Sequence, residues 1–477
     1  MSKRLQNSPS PSHEIGSSPE RKELPAGHSA AESDGLPDRY GSHSDAATDD
    51  ESQPKLGFMQ AIKAARRQKP GHVRATSPRR DPRRKAHSLI DKVYRWENLY
   101  TAWRRVRRNK GSHGLDRVTI CMFEADLVLH LLEIQRKLMQ RRYIPTPVRR
   151  VYIEKTSDPK KRRPLGIPIV ADRIVQQAIF QIVDPLFDPE MSNRSFGFRK
   201  GRSAHQALAM LIQDAKEGFR VVLDADIRSF FDQIDHDVAM SCVRERIADG
   251  RVLGLIEAFL KAGVSEDGVV TVSLRGTPQG GVISPWIANL VLDNLDKAIE
   301  ARNWRHVRYA DDFVILCHSQ EEAISALDLT KEVLEKLNLE LHPDKTSLTD
   351  FRQGFEFLGL RFIHHRLGIK PKSIERFKDK VRKLTRRQQG RNVDAVLADL
   401  NPVLRGWAGY VGVAEVFHTL RSLDGWVRMR IRAFRLKHKC RNDNWRLPNR
   451  RLAKWGLLSL QNCRPALRLS FARTRTQ

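Results

Sequence analysis

The 477-residue chain has few cysteines: Cys121, Cys242, Cys317, Cys440 and Cys463. They are scattered, odd in number, and include no CxxC pair or Cys/His cluster. That excludes a disulfide framework and a structural zinc site, and fits a reducing cytosol. No apolar run reaches the roughly 18 residues a membrane helix needs. No signal-peptide pattern opens the chain, and mean hydropathy is −0.51. A membrane is not an expected partner. Acids are also short, with 56 Asp+Glu against 85 Lys+Arg.

The resulting net charge of +29, with a pI near 10.3, is the footprint of a protein that meets a polyanion, most simply nucleic acid. The excess is uneven. From residue 366 to 477 there are 28 Lys/Arg and 7 Asp/Glu, so +21 lies in the last quarter. Solvated helix faces absorb part of such a charge, but not an excess of this size.

The chain is organised around Tyr309-Ala310-Asp311-Asp312-Phe313. Two β-prone runs meet at adjacent acids, which predicts a hairpin with two carboxylates at its tip. An Asp-Asp turn alone is ordinary solvated turn chemistry. A second acidic strand changes the reading. In Val221-Val222-Leu223-Asp224-Ala225-Asp226-Ile227 a period of two puts Val222, Asp224 and Asp226 on one face and Leu223, Ala225 and Ile227 on the other. If that strand lies beside the hairpin, Asp226 meets Asp311 and Asp312. Such a cluster suits two Mg²⁺ ions about 4 Å apart, which clamp the attacking and leaving oxygens of a phosphoryl transfer.

These motifs, Asp224–His236 and Thr277–Asp293 together with the Tyr-Ala-Asp-Asp-Phe stretch, resemble the palm of a group II intron-encoded reverse transcriptase, or intron maturase. The resemblance runs from about Ser88 to about Trp455. It implies an α+β right-hand polymerase, with fingers and palm built on antiparallel sheet and a helical thumb called domain X. It implies an RNA-directed DNA polymerase with Asp226, Asp311 and Asp312 as catalytic acids and metal ligands, Asp312 the weaker candidate, and the Ile227 carbonyl as a further ligand. Lys345, in His342-Pro343-Asp344-Lys345, matches the lysine that protonates leaving pyrophosphate. Lys155, with Lys160 or Lys161 as alternatives, and Arg163 match fingers residues that hold the dNTP. Phe231 matches the steric gate against a ribose 2′-OH, and Gln279 the contact to the nascent pair. Phe357-Leu358-Gly359-Leu360 matches the primer grip, and Asn401–Tyr410 matches domain X.

Phosphate contacts are expected elsewhere too. Arg199, Lys200 and Arg202 precede a helix that Ser203 and Gln206 are spaced to cap. In the last region Leu423, Trp426, Val427, Ile431 and Phe434 form an apolar stripe, leaving Arg428, Arg432 and Arg435 to face phosphate. The expected division is a disordered, low-complexity, basic tail at 1–87, fingers and palm at 88–365, and a basic helical thumb at 366–477. Phe58–Arg67 is a short helix candidate within the tail, and Ser88–Arg108 reads as a helix.

The implied partners are intron RNA, an RNA template with a DNA primer, dNTPs and a DNA target. The implied setting is the bacterial cytoplasm, associated with the nucleoid as a ribonucleoprotein. Relatives often add a zinc-containing HNH endonuclease, and no Cys/His cluster here builds one. Priming from nascent strands at a replication fork is then expected. Three rivals stand beside this reading. One is a related reverse transcriptase serving diversity generation, CRISPR spacer acquisition or defence. The second is a non-catalytic RNA-binding splicing factor, which would not need all three acids. The third is an RNA-dependent RNA polymerase, which Phe231 disfavours.

Overall fold

The computed structural model describes residues 85–155, 158–364, 366–437, 442–467 and 469. The expected tail up to residue 84, with its helix candidate, lies outside the described residues, as do the side chains of Lys155, Lys160 and Lys161.

The N-terminal helical reading divides in two. A short turn of helix, Ile90–Val93, is followed by α1, Trp96–Arg108, which buries Leu99, Ala102, Trp103 and Val106. The break falls at Tyr94-Arg95. After α2 (Leu127–Met139) the chain forms the antiparallel pair β1 (Val148–Lys155) and β2 (Asp158–Ile167). Next come α3 (Val170–Phe187), α4 (Ala204–Lys216), β3 (Val221–Asp226), the short α5 (Phe230–Gln233), α6 (His236–Arg244) and α7 (Gly250–Lys261). A small hairpin, β4 (Val264–Glu266) and β5 (Val269–Thr271), joins the first pair in the order β2-β1-β4-β5. Then α8 (Ser284–Ala301) leads into β6 (Arg305–Tyr309) and β7 (Asp312–Cys317), with α9 (Gln320–Lys336) and β8 (Ser347–Asp350) completing a second sheet of order β6-β7-β3-β8.

This second sheet packs against a core on each face, which explains the unbroken apolar run Phe313–Cys317 of its β7. Leu223, Ala225, Phe313, Ile315 and Cys317 enter one core, which also holds α3, α6, α8 and α9 residues. Val222, Val307, Val314 and Leu316 enter the other, which continues through α4 into the C-terminal helices. The alternation read from the sequence therefore holds, and it places Asp224 and Asp226 on the Val222 face.

A third sheet contains β9 (Phe355–Phe357), β10 (Leu360–Ile363) and β11 (Arg366–Ile369). Since β11 pairs with β10, the helical region begins at Pro371 rather than at Arg366. It contains α10 (Pro371–Leu384), α11 (Val393–Val411), α12 (Phe417–Leu436) and α13 (Asn449–Lys454). The α12 stripe buries Leu420, Leu423, Val427, Ile431 and Phe434. Trp426 is only half-buried, with the Arg382 guanidinium 5.8 Å from its ring centre. No helix among the described residues is long and apolar enough to cross a membrane.

Candidate active site

The acidic hairpin forms as its sequence implies. β6 and β7 pair with Tyr309 opposite Asp312, leaving Ala310 and Asp311 as a two-residue loop. Ala310 carries the positive φ, +63°, that so tight a connection needs. Asp311 is thus in the turn, while Asp312 is the first residue of the outgoing strand. β3 lies directly beside β7, and its last residue, Asp226, is the direct cross-strand partner of Asp312. Asp224 adds a fourth acid on the same face.

Charge accumulates here out of bulk water. Burial pushes the Asp312 carboxyl up to about 7, with Asp224, Asp226 and Asp311 adding to it. Asp224 is raised to about 6, by burial first and then by Asp226 and Glu356. Asp311 is also raised, mainly by burial, with Arg163 and Lys345 among the groups that offset it. Among the described residues no three His, Cys, Asp or Glu side chains converge closely enough to hold a metal ion. Instead the Lys345 ammonium sits on the Asp226 carboxylate. The loop that brings it is fixed by backbone bonds, from Arg228 N–H to the Glu340 carbonyl at 2.9 Å and from His342 N–H to the Asp226 carbonyl at 2.8 Å. Ile227 has a buried side chain and bridges to Leu341.

The nucleotide-side candidates also approach. Arg163, exposed on β2 opposite Ile153, is near enough to offset the Asp311 charge. Gln279 is tied to the same strand, its carbonyl accepting from Gly166 N–H at 2.8 Å. Gly280, at φ +125°, lies against Gly166, where a Cβ would stand 2.4 Å from the Gly166 carbonyl oxygen. Phe231 is half-buried against Phe230, ring centres 5.5 Å apart, and its carbonyl accepts from Thr277 N–H at 2.7 Å.

The expected phosphate contacts divide. Lys200 is exposed, and Arg202 is half-exposed, bonded to Asn193 and lying over Phe196. Arg199 is corrected: it is buried, donating to Asp188 and to the Ser192 and Ser195 carbonyls, so its guanidinium is occupied by protein. Arg432 is corrected in the same way. It is buried and donates to the Leu447 carbonyl and Asn449. Arg435 is exposed, and Arg428 lines a groove of about 800 Å³ with Trp426 and Met429. Burial is set by the neighbouring segment, here the stretch around Leu447 and Asn449, so helical spacing alone does not distinguish Arg432 from Arg428.

Residues 153–362 match the reverse transcriptase (RNA-dependent DNA polymerase) family. Residues 374–455 match the maturase-specific domain of group II introns. The chain belongs to the group II intron-encoded reverse transcriptase and maturase family. Protein YkfC of Escherichia coli (strain K12) is 33% identical over 333 residues, covering 61% of this chain and 87% of YkfC. The group II intron-encoded protein LtrA of Lactococcus lactis subsp. cremoris is 28% identical over 351 residues, covering 59% of this chain and 58% of LtrA. Among solved structures, a chain of a partial Cas6-RT-Cas1–Cas2 complex is 25% identical with a TM-score of 0.35, covering 53% of this chain and 42% of that one.

Within this reverse transcriptase–maturase the sequence did not disclose two connections. The Tyr410 hydroxyl, on maturase-domain helix α11, donates to the Leu358 carbonyl in the β9–β10 turn at 2.6 Å. His205 of α4 stacks on the Tyr410 ring, centres 5.5 Å apart. Beneath the acidic turn, Arg308 is buried with Asp296 and Asn289. Its position beside the acidic motif was the available signal, but one Arg in a strand carries no sign of burial.

Proposed function

We propose that the protein is an RNA-directed DNA polymerase that also binds its intron RNA and assists splicing and mobility. The observation that carries the polymerase reading is the register that pairs Asp226 with Asp312 and sets Asp311 and Lys345 beside them. Like charges placed directly opposite each other oppose folding, so their presence argues for a cation as part of the working site.

The donor set fits Mg²⁺: hard carboxylate oxygens in a half-buried site with excess negative charge, open to substrate phosphates. Asp226, Asp311 and Asp312, with the Ile227 carbonyl, would hold two ions. Bound there, Mg²⁺ would supply charge stabilisation to the transferring phosphoryl oxygens and would lower the pKa of the primer hydroxyl. The chain does the rest. Arg163 offers a planar fork to the triphosphate. Phe231 presents an aromatic edge where a 2′-OH would project. The Gln279 loop, pinned to Gly166, sets the floor under the nascent pair. Lys345 holds a proton at Nζ for the departing pyrophosphate, its ammonium set against the Asp226 carboxylate.

Exposed Arg435 and half-buried, groove-lining Arg428 of the C-terminal helices suit an A-form duplex or folded RNA read by phosphate position. Domains are proposed as fingers and palm through β11 and a maturase thumb from Pro371.

The test is extension of a DNA primer on an RNA template with dNTPs and Mg²⁺, beside Asp311→Ala. Extension that disappears in the variant, with RNA binding retained, is the expected result. Tight RNA binding without extension in the wild-type chain would favour a splicing factor instead.

A further inference from the structure

The acidic turn is held from beneath by side chains that do not reach solvent. Arg308 of β6 is 0% exposed. Its Nε donates to both oxygens of the Asp296 carboxylate of α8, at 2.8 and 3.0 Å, and Nη2 donates to Asp296 at 2.5 Å. Burial pushes the Asp296 carboxyl up, but the Arg308 charge and hydrogen bonds outweigh it and hold the group far below the usual carboxylate range. The remaining nitrogen, Nη1, reaches two further acceptors. It donates to Asn289 Oδ1 and to the Ala310 carbonyl, both at 3.0 Å.

Asn289 extends the bracket. Its Nδ2 donates to the Gly197 carbonyl at 2.8 Å. Gly197 lies against the acidic turn so closely that a Cβ would stand 2.3 Å from the Ala310 nitrogen. The backbone is bound on the same side, with Phe196 N–H donating to the Arg308 carbonyl at 2.9 Å and Arg308 N–H to the Arg194 carbonyl at 3.0 Å.

A buried ion pair is poor evidence for stability, because apolar side chains of similar volume often serve as well. Here an apolar replacement would leave the Ala310 carbonyl and Asn289 without their donor. Ala310 also sits in the left-handed region, which persists only where its surroundings over-determine it.

We infer that Arg308 is a positioning residue for the catalytic turn: anchored on Asp296, it clamps the Ala310 carbonyl and, through Asn289, the Gly197 loop, and so sets where Asp311 and Asp312 point. This rests on the polymerase reading of the acids, and it concerns a residue that touches neither substrate nor phosphate. Asp296 and Asn289 are the supports of that clamp. Loss of the fork frees the turn while leaving the carboxylates themselves intact.

Terbium(III) is the probe, a hard oxygen-seeking ion whose luminescence is sensitised by a neighbouring tyrosine, here Tyr309. In the full chain, the component of terbium binding lost in Asp311→Asn belongs to the turn. Arg308→Lys keeps the charge for Asp296 but lacks the fork. It should weaken that component about tenfold or more, the size seen when outer supports of a metal site are removed. Melting should drop by a few degrees, because the Ala310 carbonyl and Asn289 lose a donor, while binding to an RNA duplex, measured where both proteins are folded, should stay near wild type. If Arg308→Lys does not fold, Asn289→Ser is read in the same way, since its shorter hydroxyl adds no charge and withdraws the bridge between Arg308 and the Gly197 carbonyl. Primer extension by Arg308→Lys should show a kcat lowered by about 10- to 100-fold with KM for dNTP nearly unchanged. Unchanged terbium affinity in the folded variant, or a signal indifferent to Asp311→Asn, overturns the inference. A wild-type chain that binds terbium through Asp311 but extends no primer removes the polymerase reading alone.

Discussion

Asp226 on β3 faces Asp312 on β7 as its direct cross-strand partner, and this one pairing brings together acids separated by 86 positions in the chain. Antiparallel strands put directly opposed side chains within about 5.5 Å of each other at Cβ. Two carboxylates at that separation repel, so the strand register is maintained by the apolar pairs that precede them, Leu223 with Ile315 and Ala225 with Phe313.

Burial of these acids, with their mutual repulsion added to it, has a pH signature. The Asp312 and Asp224 carboxyls are raised in the folded protein, to about 7 and about 6. A raised carboxyl binds its proton more tightly folded than unfolded, so its stabilising contribution is complete below the unfolded value near 4 and is lost as pH rises through the folded value. In metal-free buffer the melting temperature should therefore fall between about pH 4 and pH 7 by a few degrees. Asp312→Asn should flatten most of that slope, and Mg²⁺ at pH 8 should recover stability by binding only the folded chain. A calorimetric pH series with chelator checks this, and an equal slope in Asp312→Asn would contradict it.

Lys345 contacts the Asp226 carboxylate while its side chain stays mostly exposed. Lys345→Met should lower kcat by about 100-fold, in the range for loss of a general acid, while KM for the primer–template stays within about twofold. Single-turnover rates separate this from a folding defect. A variant with normal kcat and raised KM would make Lys345 a binding residue only.

Phe231 stands on a short helix whose backbone is pinned to Thr277. Phe231→Ala should therefore relax sugar selection without moving the site. Incorporation of rNTPs should rise by at least about tenfold relative to dNTPs, measured as the ratio of kcat/KM on one template. Unaltered discrimination would assign the side chain to packing.

Gly280 is the position where the nucleotide-side loop meets β2. Gly280→Ala adds a Cβ 2.4 Å from a backbone oxygen, at a φ of +125° that alanine does not adopt readily. Extension should drop by about 10- to 100-fold, chiefly through KM for dNTP, because displacement of about 1 Å is enough. Nucleotide titrations decide between this and a loss confined to kcat.

In the maturase domain, Arg435 and Arg432 lie three residues apart on α12 and are expected to behave differently. Arg435→Ala should weaken RNA binding and reduce the salt dependence by about one phosphate contact, with melting unchanged. Arg432→Ala should instead lower stability by about 1–3 kcal/mol, by unpartnering Asn449 and the Leu447 carbonyl. RNA titrations at several salt concentrations, beside thermal melts, distinguish them.

What the sequence determined is local and periodic. Alternation gave β3 its two faces, adjacent acids between β-prone runs gave the hairpin, and the α12 stripe gave its buried side. The charge excess after residue 366 followed from counting. In each case the physical signal lies within a few residues: a period of two, a period of 3.6, or a turn-forming pair. What only the tertiary structure decided is which partner each side chain meets. The register of β3 against β7 is a pairing across 86 residues, and it brought Asp226, Asp312 and Asp224, placed on the Asp226 face by the alternation but given no role, into one acidic site. Arg199 and Arg432 are as basic as Arg202 and Arg435, yet carbonyls and acids from other segments draw them inward. Arg308 reads as a polar strand residue until Asp296 and Asn289 of α8 are packed beneath it. Desolvation and hydrogen-bond partnership are properties of the assembled surroundings, and no window along the chain contains them.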